Sequence, residues 1–455
     1  MNFFIFAIFL LVMIYSIKLF LLLFPLFMVL SPKALLLIQT SSLPLLSVSN
    51  AIMIVLLILF LMHLIITNQW KYFIKYDLKI FTGFFFLLLS YILVLLYSSS
   101  TFVGIHTVLI MFLAILLPAF LYSYYFQQKD ISFHIKEIKL TFIILFILGI
   151  YASISIALES NIYVDFIEAG LHTDRMHVSR YTGDWRGERA IGTLTHPITY
   201  GAFIGIGFFA SLFLIIYYSS IMKNPKMTFL FVFLSLFMIF FIFISNSRTP
   251  LIFVLTGITI IFFYSNVKIK IYVILAILLL LPIIMQIDFF NQKILGLLNI
   301  FNSDIGEDQR GSSISMRLSQ LSVSYDYFIN SPIFGNGFQS TRNIVASGIE
   351  PDLYNAESII YKILIDMGIV GILGYSIFFT WFYFLIYKLK YVYKPLKGLV
   401  YAYISGYIIY IMGTGVMDTM QMFVFVFYLF YLTLKSLEND NRQYIIKPSS
   451  KKTYE

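Results

Sequence analysis

The chain has 455 residues, of which 60% are hydrophobic and only 12% are charged. A soluble domain carries about 25% charged residues, so the composition excludes a water-soluble enzyme, a disordered protein and a nucleic-acid-binding protein. The 49 Phe and 33 Tyr residues are typical of lipid-facing and interfacial surfaces. Cysteine is absent, which excludes disulfides, thiol catalysis, iron–sulfur clusters and Cys-ligated zinc. We therefore predict a polytopic integral membrane protein.

Apolar runs of about 20 residues predict an all-α fold, a bundle of about 12 transmembrane helices. The predicted spans are 3–30, 48–67, 80–97, 103–124, 138–158, 193–218, 227–244, 249–265, 270–288, 368–386, 397–415 and 419–435. The first run is too long for one straight helix and Pro25 can break it, so the span count is 12 or 13. The chain thus divides into N-terminal spans (1–158), an outer loop (159–192), central spans (193–288), a large outer loop (289–367), C-terminal spans (368–435) and a tail (436–455).

The two basic residue types follow different distributions. With the C-terminus in the cytoplasm, 19 of the 31 Lys and Arg residues lie in inner segments, and 18 of these 19 are lysines. Eight of the nine arginines instead lie on the predicted outer side: Arg175, Arg180, Arg186, Arg189, Arg248, Arg310, Arg317 and Arg342. The planar guanidinium binds phosphate or carboxylate through two hydrogen bonds, which a lysine cannot do. This sorting predicts an outward-facing anion site, and the alternative is that the arginines only pair with acids of these loops.

The large outer loop contains a predicted amphipathic helix over 314–328. Its apolar residues recur at helical spacing, as Ile314, Leu318, Leu321, Tyr325 and Phe328. We expect this helix to lie on the membrane or to cap the bundle. Pro332 ends it, and Gly335 and Gly337 form the following turn.

The stretch 186-RGERAIGTLTHPITYG-201 leads from the first outer loop into a span. Gly192 permits close backbone approach, and Pro197 suits the first turn of a helix. A helix N-terminus with Arg189 nearby is suited to bind an anion. His196 is a candidate substrate contact, and the alternative is an ordinary hydrogen-bonded interfacial histidine.

A second motif, 245-SNSRTPL-251, forms a very short outer turn between two spans. Thr249 and Pro250 open the next helix, so Arg248 lies at a positive helix end, which favours a bound anion. Alternatively, Arg248 extends to the interface and only marks its position.

The third stretch combines 332-PIFGNGF-338, 355-NAES-358 and 366-DMGIVGILG-374. Glu357 lies where the loop re-enters the membrane, and a carboxylate at that depth is usually functional. The alternative is a structural salt bridge to an outer arginine. Gly368, Gly371 and Gly374 predict close helix packing or a bent helix start.

The order of these motifs resembles the O-antigen polymerase and ligase superfamily of bacterial envelope glycosyltransferases. The shared features are an Arg-x-x-Gly-x-x-x-His-Pro run, a Ser-x-Ser-Arg turn, and a Pro-x-x-Gly-x-Gly loop followed by a Gly-Ile-x-Gly helix. The resemblance covers about 189–374, and the flanking spans match only in number and hydropathy. No single motif is specific; the order, the outer placement and the large loop carry the resemblance.

The resemblance implies a metal-independent, inverting transferase of the GT-C type in the bacterial inner membrane. Such an enzyme moves a glycan from an undecaprenyl-diphosphate carrier to an acceptor hydroxyl at the outer face. Arg189 and Arg248 match the family's diphosphate ligands, and guanidinium groups there would stabilise the charge that develops on the leaving group. The further predicted substrate contacts are Arg186, His196, Arg317, Asn336 and Asn355.

The chain departs from the ligases of this superfamily at the re-entry point. Those typically carry a His-Asn pair with the His as base, whereas this chain has Asn355-Ala356-Glu357-Ser358. We therefore predict Glu357 as the base and a polymerase that joins repeat units into O-antigen or capsule. The alternatives are an O-antigen ligase with an acceptor such as lipid A-core, and a lipid-linked glycan flippase. A flippase is expected to carry charges inside its spans and two related halves.

No cofactor is predicted. Asp304, Glu307 and Asp308 have carboxylate spacing that could hold Ca²⁺ or Mg²⁺, but such a cluster is more often a solvated loop. The predicted partners are the undecaprenyl-diphosphate-linked glycan, membrane lipids and a chain-length regulator protein, with no nucleic acid.

Overall fold

The computed structural model describes residues 2–31, 36–38, 46–68, 78–98, 101–168, 189–194, 196–264, 314–353, 356–415 and 417–446. These residues are almost entirely helical, which confirms the predicted all-α bundle; the exception is an antiparallel pair of short strands, β1 (Leu36–Ile38) and β2 (Leu46–Ser47). Seven helices in the described ranges are long and apolar enough to cross a membrane. The predicted span 270–288 and the acidic residues Asp304, Glu307 and Asp308 lie outside the described residues.

The helices follow in chain order. They are α1 (Asn2–Tyr15), α2 (Ile17–Leu22), α3 (Phe24–Leu30), α4 (Val48–Ile66), α5 (Thr82–Leu95), α6 (Thr101–Met111), α7 (Leu117–Phe126), α8 (Ile131–Ala157), α9 (Ile162–Glu168), α10 (Pro197–Ile216), α11 (Pro225–Ile244), α12 (Arg248–Tyr264), α13 (Ile314–Asn330), α14 (Ser340–Ser347), α15 (Ile359–Lys388), α16 (Lys394–Met412) and α17 (Met420–Ile446). Wider π-helical turns join α6 to α7 (Phe112–Leu116) and extend α10 (Tyr217–Ile221), and 3₁₀ turns cover Leu78–Phe81 and Pro351–Leu353.

The first apolar run forms three helices instead of one or two spans. The first break is at Ser16, whose hydroxyl accepts from the Leu19 backbone N–H and starts α2. The second break precedes Pro25, which occupies the first turn of α3. Phe9 of α1 lies 4.9 Å from Phe27, between ring centroids, so the chain folds back on itself. A folded-back unit explains how a run of this length fits the bundle.

Several helix starts are set by side-chain caps. Asp130 caps α8 and Ser358 caps α15, each by accepting a backbone N–H of the first turn. These two helices therefore begin at Ile131 and Ile359, earlier than the predicted span starts at 138 and 368. The end of the large outer loop is accordingly helical.

Helices α10 and α17 form the centre of the bundle and are the most deeply buried of the candidate spans. α17 continues well beyond the predicted span end at 435. In this extension Glu438 is only 5% exposed and accepts backbone N–H groups of Lys390 (2.7 Å) and Tyr391 (3.4 Å). The buried carboxylate thereby ties this end of α17 to the turn between α15 and α16.

The predicted amphipathic helix is confirmed as α13, and its polar side packs on the protein. Gln320 and Ser324 are fully buried, whereas Leu318, Leu321 and Tyr325 are 60%, 41% and 55% exposed. α13 packs against α15. It therefore caps the bundle with polar side chains and leaves its apolar side outward.

The loop 332–338 is inserted into a break in α15 at Gly368. The Gly368 backbone has φ 58° and ψ −149°, a conformation open essentially to glycine. Backbone N–H groups of Asn336 and Gly337 donate to the carbonyls of residues 365 and 366, and residues 369 and 370 donate to the carbonyls of 332 and 333. A Cβ on Gly335 would lie 2.5 Å from the Met367 backbone nitrogen, so this approach requires glycine. The predicted bend is therefore present at Gly368, but it lies within α15 and not at its start, and loop 332–338 braces it.

Candidate functional site

Several helix ends meet at one end of the bundle. They are the N-termini of α10, α12, α15 and α17 and the C-terminus of α16, with the turn 413–419 between α16 and α17 at their centre. We refer to the polar residues gathered there as the outer site, after the orientation predicted from the sequence: Arg189, His196, Ser247, Arg248, Arg317, Glu357, Lys362 and Asp418.

Two of the predicted arginines are brought together by one serine. The Arg189 Nη2 donates to Ser247 Oγ at 2.8 Å. The adjacent Ala190 backbone N–H donates to the Ile244 carbonyl at 3.0 Å, which fixes the segment that contains Arg189 to the end of α11. Arg248 follows Ser247 directly and is the first residue of α12. The fold thus brings the Arg189 guanidinium to the residue that precedes Arg248, at the positive N-terminal end of α12.

His196 is the N-cap of α10, and Pro197 occupies the first turn as predicted. The His196 Nδ1 accepts the Ile198 backbone N–H at 3.2 Å, so the neutral His196 ring carries its proton on Nε2. The pKa of His196 is lowered to about 4, chiefly by burial and secondly by the nearby Arg189, while Asp418 opposes the shift. The imidazole is therefore neutral at pH 7 and offers an N–H donor rather than a positive charge.

Glu357 is paired with the helix that caps the bundle. Arg317 Nη2 of α13 lies 3.8 Å from Glu357 Oε2, and both side chains are about one-third exposed. The Glu357 backbone N–H donates to Gln320 Oε1 at 3.2 Å. Arg317 Nη2 also donates to the Gly413 carbonyl at 3.3 Å. The partner is thus Arg317, one of the outer arginines to which a salt bridge was the alternative prediction, because α13 folds its polar side over the re-entry point.

The turn 413–419 connects the two halves of the outer site. Its Thr414 carbonyl accepts the first backbone N–H of α15 (3.2 Å), and its Gly415 carbonyl accepts from Lys362 Nζ (2.9 Å). Asp418 lies within electrostatic range of both His196 and Lys362. Asp418 and Lys362 are not among the site residues predicted from the sequence. The signal for Asp418 was available, because it is the single charge in the outer turn between the last two predicted spans.

The remaining predicted contacts fall into two groups. Asn336 donates from Nδ2 to the backbone carbonyls of Ile365 (3.2 Å) and Tyr327 (3.4 Å), so its amide braces the loop against α13 and α15. A direct contact of Asn336 with substrate stays a prediction. Arg186 and Asn355 lie outside the described residues.

Comparison with known families bears on the central part of the chain. A family model described as O-antigen ligase matches residues 233–376. The chain is similar to the O-antigen ligase family over this segment. The match confirms the resemblance to the O-antigen polymerase and ligase superfamily. No curated protein matches the chain.

The matched segment includes Arg248, Arg317 and Glu357, whereas Arg189 and His196 precede it. The similarity supports an enzyme of surface-polysaccharide biosynthesis at a membrane, of the glycosyltransferase-like ligase and polymerase kind. Contacts within the fold join the matched and unmatched parts, because Arg189 is bonded to Ser247 inside the segment.

Among the described residues, no group of three or more His, Asp or Glu side chains is arranged to hold a metal ion. The outer site instead combines fixed cations, a neutral N–H donor and two carboxylates. Such a set can stabilise a developing anion with guanidinium groups and remove a proton with a carboxylate.

Proposed function

We propose that this protein polymerises undecaprenyl-diphosphate-linked oligosaccharide repeat units into O-antigen or capsule at the outer face of the bacterial inner membrane. The observation that carries the proposal is the junction of Arg189 and the Ser247–Arg248 turn at the N-terminus of α12. A diphosphate leaving group is a dianion or more, and paired guanidinium groups at a helix N-terminus have the right charge and hydrogen-bond geometry for it.

The reaction needs stabilisation of the leaving group and activation of the acceptor. In this proposal, Arg189 and Arg248 bind the diphosphate and stabilise the charge that grows on it as the glycosidic C–O bond breaks. Glu357 accepts the proton of the acceptor sugar hydroxyl. The acceptor oxygen then displaces the diphosphate directly, and this displacement inverts the configuration at the anomeric carbon. Neutral His196 donates from Nε2 to a substrate oxygen.

One feature favours polymerisation over ligation. The re-entry segment carries Glu357 where the ligases of the superfamily typically have a histidine. The name of the matching family favours ligation, so the two products must be separated by experiment. A strain without the polymerase carries single repeat units on its lipid core, whereas a strain without the ligase accumulates polymer that is not attached to the core.

Arginine-to-lysine variants test the diphosphate role directly. Arg189→Lys and Arg248→Lys keep the positive charge and remove the bidentate hydrogen bonding to the diphosphate. Each should therefore lower the polymer yield by about ten- to a hundredfold. Arg442→Lys is the matched control, because this arginine lies near the far end of α17, away from the outer site. Each variant is expressed in the deletion strain, and the polysaccharide ladder is compared at equal membrane abundance of the protein. Normal ladders in both site variants would contradict the proposed role of the arginines.

A further inference from the structure

A second polar region adjoins the outer site. A cavity of about 460 Å³ lies between α5, α6, α14 and α15 and reaches the turn 413–419 at Met417. Its volume is within the range of about 300–1,000 Å³ that small-molecule sites occupy. Two of its lining residues, Ile359 and Lys362, belong to the first turn of α15, directly after Glu357. The cavity therefore opens the question of what binds next to the proposed base.

The charged part of the cavity wall is held in place by the fold. Lys362 Nζ donates one of its three hydrogens to the Gly415 carbonyl at 2.9 Å. Asp366 Oδ1 accepts from the backbone N–H and the hydroxyl of Thr341, at 2.7 and 2.8 Å. A carboxylate can accept about four hydrogen bonds, so Asp366 retains acceptor capacity. A fixed ammonium and a fixed carboxylate in one cavity match a vicinal diol, which offers both lone pairs and O–H donors.

Another part of the cavity wall is aromatic. The Tyr91 and Phe338 rings lie 5.3 Å apart between centroids, and the Tyr91 and Tyr375 hydroxyls are hydrogen-bonded at 2.7 Å. Aromatic faces pack against the C–H face of a pyranose ring, while charged groups take up its hydroxyls. All three rings line the cavity. Charged and aromatic walls together are the chemistry of a carbohydrate site.

A second cavity of the protein shows what a hydrocarbon site looks like in the same fold. It measures about 630 Å³ and is lined mainly by Leu, Ile and Val side chains between α3, α8 and α9. Its polar lining groups bond to the protein itself: the Tyr151 hydroxyl donates to Asn161 Oδ1 (2.9 Å), and the Thr193 hydroxyl donates to the Val29 carbonyl (2.7 Å). The cavity at Lys362 and Asp366 differs because charged side chains line it, which suits a polar ring better than an acyl or prenyl chain.

We propose that this cavity binds the sugar residues of the acceptor glycan. The inference rests on the proposed function, since it assigns the acceptor to a region on the α15 side of the outer site and leaves the diphosphate to Arg189 and Arg248. Lys362 and Asp366 hold the ring hydroxyls, and the aromatic wall holds its apolar face. The acceptor hydroxyl then lies between the cavity and the diphosphate, beside Glu357.

Two probes distinguish the acceptor site from the diphosphate site. The first is the repeat-unit oligosaccharide freed from its lipid by mild acid, and the second is undecaprenyl diphosphate without glycan. Binding of each to the purified full-length protein is measured by saturation-transfer NMR and by competition. Thr107→Trp fills the cavity from α6, and Asp366→Asn removes its charge but keeps the bonds to Thr341. We expect either change to weaken oligosaccharide binding by about ten- to a hundredfold and to leave undecaprenyl diphosphate binding unchanged.

The matched control is Thr259→Trp. Thr107 and Thr259 both lie within helices and donate to the carbonyl four residues earlier, but Thr259 is on the exposed side of α12. Arg189→Lys should show the reverse pattern, with weaker undecaprenyl diphosphate binding and normal oligosaccharide binding. Normal binding of both ligands by Arg189→Lys would contradict the proposed function, but it would not affect the result for the cavity. Equal oligosaccharide binding by wild type, Thr107→Trp and Thr259→Trp, or no millimolar binding by wild type, would overturn the acceptor proposal.

Discussion

The low pKa of His196 makes the stability of the outer site depend on pH in a defined window. The folded-state pKa is about 4, against 6.5 for a free histidine, chiefly because the ring is buried and secondly because Arg189 is near. Between pH 6.5 and 4 the unfolded chain binds a proton that the folded chain does not, so stability falls as the pH falls. At about 1.4 kcal/mol per unit, the loss approaches 3 kcal/mol at pH 4 and stops there, while above pH 6.5 it vanishes.

His196→Asn isolates this contribution. Asparagine is also a good N-cap, so it can still accept a backbone N–H at the start of α10, but it does not titrate. Thermal unfolding of the purified protein, followed by tryptophan fluorescence from pH 7.5 to 4, should therefore show a shallower acid loss in the variant. Carboxylates titrate in both proteins and cancel in the difference. Arg189→Gln should reduce the difference, because it removes a cation that lowers the pKa. Parallel pH profiles for wild type and His196→Asn would refute the assignment.

Two shorter predictions concern the metal and the capping helix. Turnover of lipid-linked substrate by the purified protein should persist in excess EDTA, and a complete loss reversed by Mg²⁺ would direct attention to Asp304, Glu307 and Asp308. Because the chain contains no cysteine, single spin-labelled cysteines can be placed along α13 in liposomes without other changes. Labels at Leu321 and Tyr325 should be accessible to oxygen in the bilayer, whereas a label at Asp326, also exposed, should be accessible to a water-soluble nickel complex; equal accessibility at all three would contradict membrane contact of the apolar side.

Much of the fold was predictable because hydrophobic runs and caps are local signals. Pro197 and Thr249-Pro250 mark helix starts in the sequence, and the structure places α10 and α12 there. The start of α15 was missed because Lys362 and Asp366 interrupt its apolar pattern. Both charged groups are hydrogen-bonded by tertiary partners, the Gly415 carbonyl and Thr341, which lie far away in the sequence. Hydropathy cannot anticipate such partners.

The sequence selected the arginines of the outer site, but it did not select Asp418 or Lys362 and it did not predict how the residues pair. The sorting of Arg from Lys selected Arg189, Arg248 and Arg317, yet only the fold shows that Ser247 joins the first two. An amphipathic helix of a soluble protein buries its apolar side, whereas α13 buries its polar side. The polar side faces the protein because Gln320 and Arg317 bond to the re-entry segment and the turn 413–419. A helical period reveals two faces, but it does not say which of them meets the protein when lipid is present.

The ion pair between Arg317 and Glu357 permits a test that separates a base from a structural carboxylate. Glu357→Gln keeps the shape and removes the basicity, so turnover should fall by about 10²–10⁴-fold. Arg317→Gln breaks the same 3.8 Å pair and leaves the carboxylate in place; since both groups are about one-third exposed, the pair itself adds little stability. If Glu357 is the base, Glu357→Gln lowers the rate far more than Arg317→Gln at nearly equal melting temperature, and Glu357→His restores part of the rate. If the carboxylate only holds α13 over the site, the two glutamine variants lose activity and melting temperature together, and their double mutant is no worse than either one. A stable Glu357→Gln protein with the wild-type rate would exclude both roles.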